Sequence, residues 1–182
     1  MARNFKRPDE AAMQRVIARI SGGAAEVILR LAWLQGLYRA EITALRWDQV
    51  DLAGKALLLP DRTVPLDPSV EACLRAWYVR CAGNSECVAV SDRDQTPMRP
   101  ESVSRLARQA LNSEGLAPSL MDLRRGFILR QIEAHGWSYA AQVSGVAAAT
   151  LREEFLPEPV PLFGSLFGNV LMVNPSFKTA FY

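Results

Sequence analysis

The stretch Met121-Asp122-Leu123-Arg124-Arg125 decides the fold, read together with Gln35-Gly36-Leu37-Tyr38-Arg39-Ala40-Glu41 earlier in the chain. Each lies at the start of a predicted helix. A bend near Gly36 precedes a helix over Tyr38 to Arg46, and Asp122 to Ala134 forms another, with Leu123, Phe127, Ile128 and Ile132 on its apolar side. Both stretches carry arginine, whose planar guanidinium fork matches phosphate oxygens.

The rest of the chain supplies a setting for these two segments. Its 182 residues fit one domain, or one domain plus a tail. An apolar share of 49% with a mean hydropathy of +0.01 supports an ordinary buried core. The 18 arginines against 3 lysines fit either phosphate contact or a GC-rich coding sequence, and a net charge of +2 does not by itself announce a nucleic-acid binder. Cys73, Cys81 and Cys87 form no CxxC pair and His135 is the single histidine, so no zinc site is expected. The basic N-terminus has no apolar run behind it, and no segment reaches about 18 uncharged apolar residues. The expected location is therefore the cytoplasm, without a membrane partner.

Pro8-Asp9-Glu10 opens the first predicted helix, with Met13, Val16, Ile17 and Ile20 on one face until Ser21-Gly22-Gly23 breaks it. Ala24 to Leu37 reads as a very apolar, buried helix. Three short strands follow at Trp47 to Leu52, Lys55 to Leu59 and Thr63 to Leu66, with turns at Ala53-Gly54 and Pro60-Asp61-Arg62. Asp67-Pro68-Ser69 caps a helix over Val70 to Cys81. A loop-like stretch then runs to Pro100, with a short strand expected at Cys87 to Val90. Helices follow from Pro100, from Asp122, over Tyr139 to Ser144 and over Ala147 to Phe155. This order predicts a mostly helical α+β fold with a small three-stranded antiparallel sheet. The expected division is a domain over residues 1–155 and an apolar tail over 156–182.

The ordered set resembles the catalytic domain of the tyrosine recombinase (phage integrase) family. The family's first box reads roughly T-G-L-R-x-S-E and is followed by L-x-W-x-D-I-D. Here Gly36 to Glu41 and Leu45-Arg46-Trp47-Asp48-Gln49-Val50-Asp51 keep that spacing. Val64-Pro65-Leu66 resembles the end of the family's sheet. Met121 to Arg125 stands where the family has H-x-L-R-H. Ser144-Gly145-Val146 stands for L-G-H, and the nucleophilic tyrosine nine residues on is here Phe155.

The resemblance implies a reaction in which a tyrosine oxygen attacks a phosphodiester while arginines and proton donors stabilise the charge that develops. It implies no cofactor, since the covalent phosphotyrosine conserves the bond energy. It also implies that most of the catalytic positions are replaced. Tyr38 stands for the first arginine, Met121 and Arg125 for two histidines, and Val146 for a third. Phe155 stands for the nucleophile and has no oxygen to attack with. What survives is Arg124 at the second arginine position and Glu41 at the acidic one. Arg124, Arg125, Arg62 and Arg39 are the candidate phosphate contacts, Arg62 because it is near the turn where the family carries a lysine. Glu41 is a supporting carboxylate.

The resulting expectation is a DNA-binding protein of integration or recombination in a mobile element, unable to cut DNA. It would partner with DNA, and with a second copy or a recombinase through the tail. An active but divergent recombinase and a protein-interaction module without DNA binding are the alternatives. Seven arginines against four acidic residues between Arg93 and Arg130 favour a DNA-facing surface.

Overall fold

The computed structural model describes residue 7 and residues 9–81 and 85–156. The basic N-terminus, the expected tail beyond Leu156 and Tyr182 lie outside the described residues. Among the described residues, helices surround a small sheet. The order is α1 (Glu10–Arg19), α2 (Ala24–Leu34), α3 (Arg39–Ala44), a 3-10 turn (Trp47–Gln49), β1 (Val50–Asp51), β2 (Ala56–Leu58), β3 (Thr63–Pro65), α4 (Pro68–Cys81), α5 (Pro100–Asn112), α6 (Leu120–Ser144) and α7 (Ala148–Phe155).

Helix α1 starts where the Asp9 carboxylate accepts the Ala12 N–H at 2.9 Å, and it buries Met13, Val16 and Ile17. Helix α2 is apolar nearly all round and is the centre of the domain, packed against α1, α3, α4, α5 and α6. Its one acidic residue, Glu26, is buried but satisfied: it accepts the Gly22 N–H at 2.7 Å and the Arg30 Nε–H at 2.8 Å. Asp92 caps the same helix through the Ala24 N–H at 3.0 Å. Antiparallel strands run in the order β1-β2-β3, with Leu57 paired to both Val50 and Val64. These three side chains share the buried side of the sheet, and β3 packs on α6.

The expected α+β architecture is what the chain adopts, with local corrections. Helix α2 stops at Leu34 rather than Leu37, because Gly36 takes a φ of 65° that ends the helix. The first expected strand is largely a 3-10 turn, and β1 keeps only Val50 and Asp51. The strand expected at Cys87 to Val90 is instead two isolated bridges, Arg46 to Cys87 and Val90 to Pro97. That loop is tied down by the Trp77 indole, which donates to the Val88 carbonyl at 2.9 Å. The helix from Asp122 and the one expected over Tyr139 to Ser144 follow one another within α6, which breaks at Gly136, where φ is 82°.

Cys73 on α4 faces Glu26. Burial, and after it the Glu26 charge and hydrogen bond, push its thiol up to about 12, with Arg30 acting in the opposite direction. The thiol is therefore protonated at pH 8 in the folded protein, and unfolding returns it to the ordinary thiol range. Alkylation with iodoacetamide at pH 8, followed by peptide mass mapping, should leave Cys73 unmodified in native protein and label it in urea; equal labelling in both would contradict this burial.

Gly36 carries a second requirement. A Cβ there would stand 2.2 Å from Phe127 Cδ1, so the ring of α6 fills the space that the missing side chain leaves. Strain at positive φ and overpacking each cost about 1–3 kcal/mol. Gly36→Ala should therefore lower the unfolding free energy by about 2–6 kcal/mol in urea titration, and an unchanged midpoint would refute the close approach.

Candidate functional site

Glu41 is the hub of the candidate site. It lies in the first turn of α3, which starts at Tyr38 after the Gly36 bend, and its Oε2 accepts the Tyr38 N–H at 3.0 Å in a capping box. The same oxygen lies 3.3 Å from Arg124 Nη1, and Oε1 lies 2.5 Å from Arg62 Nη1. One carboxylate thus joins the first box, the turn before β3 and the second box.

The two arginines are bound on their other sides by α6. Arg124 Nη2 donates to the Ser144 carbonyl at 2.7 Å and Nη1 to the Gly36 carbonyl. Arg62 Nε donates to the Val143 carbonyl at 2.9 Å. Carbonyls at a helix C-terminus lack partners within the helix and carry partial negative charge, so two guanidiniums there satisfy both needs. Gly145 makes the approach possible. It caps α6 at a φ of 69°, and a Cβ would stand 2.7 Å from Asp61 Oδ2 and 3.0 Å from Arg62 Nη1.

Both arginines are buried, at 7% exposure for Arg124 and 9% for Arg62. Their electrostatics differ nonetheless. Burial is the largest influence on Arg62 and works against its charge, but Glu41 and Asp61 together outweigh it, and the pKa is raised. Burial is also the largest influence on Arg124, where Glu41 offsets it only in part and Arg62 adds repulsion, and the pKa is lowered. The reason is geometric. Arg62 has two carboxylates, at 2.5 Å and 3.0 Å, whereas Arg124 has one at 3.3 Å and otherwise neutral carbonyls. Arg62 Nη2 is buried with no partner among the described residues, which makes that side chain the more dependent on its ion pairs.

Tyr38, at the first-arginine position, places its ring 5.1 Å from the Arg124 guanidinium carbon. An aromatic face attracts the cation that a second arginine would repel. Arg125 points away from this cluster. It donates from Nε to Glu154 on α7 at 2.7 Å and lies 3.7 Å from Asp122. That contact docks α7 beside the second box, and α7 ends at Phe155, which packs on the core. Val146, in the turn between α6 and α7, also packs on the core. Met121 is 48% exposed. Arg39 is exposed and forms no side-chain ion pair among the described residues.

Met121, Tyr38 and Arg39 meet at one groove of about 420 Å³ between the starts of α3 and α6 and the side of α5. Arg108 of α5 also lines it, a residue that sequence reasoning did not single out. Its sequence gives little signal: in Arg105-Leu-Ala-Arg108 it is an exposed arginine lying about 60° around α5 from the buried Leu111. The structure therefore separates the site residues into a buried Glu41, Arg62 and Arg124 cluster beneath Tyr38, an Arg125 and Phe155 group at α7, and an open groove with Arg39 and Met121.

Glu41→Gln keeps the shape and removes the carboxylate that pairs with both buried guanidiniums. Breaking a buried pair in this way costs about 3–5 kcal/mol. Chemical denaturation should show a loss of that size, while Glu86→Gln, whose partner Arg46 is at the surface, should shift the midpoint little. Equal effects of the two changes would contradict the hub.

Solved structures share the fold that carries this site. XerA recombinase superposes with a TM-score of 0.73 at 18% identity, over 84% of this chain and 59% of that one. A lambda integrase dimer bound to a COC' core site gives 0.64 at 16% identity, over 92% of this chain and 51% of that one. The Tn1549 transposon integrase in complex with a circular intermediate DNA gives 0.66 at 14%, over 86% and 63%. The chain thus spans between about half and two thirds of the length of these structures. No family model and no curated protein matches it. At such identities the likeness is one of fold, and on that ground the chain has the catalytic-domain fold of the tyrosine recombinases.

Proposed function

We propose that this chain binds DNA in the integration or recombination of a mobile element and does not cut a strand itself. The observation that carries the reading is Phe155. It ends a helix docked beside the second box by the Arg125 and Glu154 pair, at the spacing where the family holds its nucleophile, and a benzene ring offers no oxygen for a phosphotyrosine bond. The neighbouring positions agree. Tyr38 brings a phenol in place of a guanidinium, Met121 and Val146 move no protons, and Arg125 is held by Glu154.

Support for DNA comes from neighbours described as bound to it, a lambda integrase dimer on a core site and a lambda integrase tetramer on a Holliday junction among them. In this reading the phosphate contacts divide by exposure. Arg39 and Arg108, exposed and free of ion pairs among the described residues, meet the backbone directly. Arg125 contributes from the α7 side. Arg124 and Arg62 are committed to Glu41 and to helix carbonyls, so they hold the frame and lend positive potential from beneath. Self-association or a recombinase partner, joined through residues 156–182, completes the reading.

Fluorescence anisotropy with duplex DNA over a salt series tests it. Binding should weaken steeply as salt rises, and Arg39→Ala and Arg108→Ala should each weaken it and lower the salt slope by about 1. Absence of binding at low salt would overturn the proposal and favour a protein-interaction module.

A further inference from the structure

The groove between the starts of α3 and α6 and the side of α5 is not shaped for a duplex backbone alone. Its volume of about 420 Å³ is at the small end of ligand-sized sites, too narrow for a double helix to enter. Its interior includes the apolar Ala107 and Leu111. Two of the large apolar side chains that the fold leaves open, Tyr38 at 41% and Met121 at 48% exposure, both face it. Arg39 and Arg108 line the same groove with no ion pair among the described residues. A phosphate meeting these arginines would leave the apolar part empty, and an apolar peptide would leave both arginines unanswered. A nucleotide whose base has left the stack answers both, with a flat π-face for the ring and thioether and a phosphate for the guanidiniums.

We infer that this groove takes an unpaired nucleotide of a DNA strand, its base against Tyr38 and Met121 and its phosphate between Arg39 and Arg108. The inference rests on the DNA-binding reading above and adds the form of DNA preferred: strands with unpaired tracts, such as gaps, bulges or branch points. The Arg124 guanidinium against the Tyr38 ring fixes that ring before any ligand arrives, so little freedom is lost on stacking. Stacking on an aromatic ring accepts any base, so the preference is for strand form and not for sequence.

The test compares labelled oligothymidine, a perfect duplex of equal length and the same duplex with a central unpaired tract, each titrated with wild type, Tyr38→Ala, Tyr38→Phe and Met121→Ala. Wild type should bind both unpaired forms about tenfold more tightly than the perfect duplex. Tyr38→Ala should erase that ratio while leaving duplex affinity within about twofold, Tyr38→Phe should keep it, and Met121→Ala, at an exposed position, should reduce it. A wild type that binds duplex as tightly as unpaired DNA, or a ratio unmoved by both Tyr38→Ala and Met121→Ala, overturns this inference and leaves duplex binding standing. Failure to bind any form overturns the DNA-binding reading as well.

Discussion

One carboxylate between two buried guanidiniums is the constraint on which the rest of this structure depends. Glu41 at 12% side-chain exposure meets Arg62 at 3% and Arg124 at 8%. Taking such charges out of water costs several kcal/mol for each ion, and Coulomb attraction offsets this only when the remaining donors are occupied. Most of them are occupied here by the Gly36, Val143 and Ser144 carbonyls, near the ends of α2 and α6, while Arg62 Nη2 has no partner among the described residues. The cluster therefore does two things at once. It neutralises the arginines, and it fixes the end of α6 against the hairpin and the first box, which in turn determines where α7 begins.

Under the proposed reading, that arrangement accounts for which residues of the site are bound to their places. Removing Glu41 would leave the buried Arg124 guanidinium without a carboxylate, whatever the chemistry of the site. Tyr38, Met121, Val146 and Phe155 are not bound by that requirement. Each can lose its polar role and still pack, cap or line a surface. The Tyr38 ring even compensates for a missing arginine, since it offers Arg124 an attractive face in place of a like charge. A fold can thus keep a recombinase frame for structural reasons after the groups that attack and protonate a phosphodiester have been replaced.

Much of the frame was legible in the residues. Met13, Val16 and Ile17 gave the face of α1, Pro8-Asp9-Glu10 its start, and Gly36 and Gly145 the two breaks that position the site. What was not legible followed from tertiary contact. Arg62 in Pro60-Asp61-Arg62 has the composition of an exposed turn, and only the packing of β3 on α6 turns its guanidinium inward to Glu41. Arg125 looked like an open anion ligand until Glu154, far along the chain, was found to hold it. Arg108 was one arginine among several, because a groove built by three separate helices leaves no mark in any one of them. Arg39, a candidate phosphate contact by sequence, is exposed and lines the groove.

In the proposed reading, a recombinase fold grips DNA without the oxygen needed to cut it. A nicked suicide duplex, which traps strand cleavage as a covalent protein–DNA adduct, tests this most directly under conditions where binding is measured in parallel. The expected result is a complex in native gels and no adduct after SDS treatment. An SDS-resistant adduct mapped to any tyrosine of the chain, Tyr38 or Tyr182 included, would contradict it.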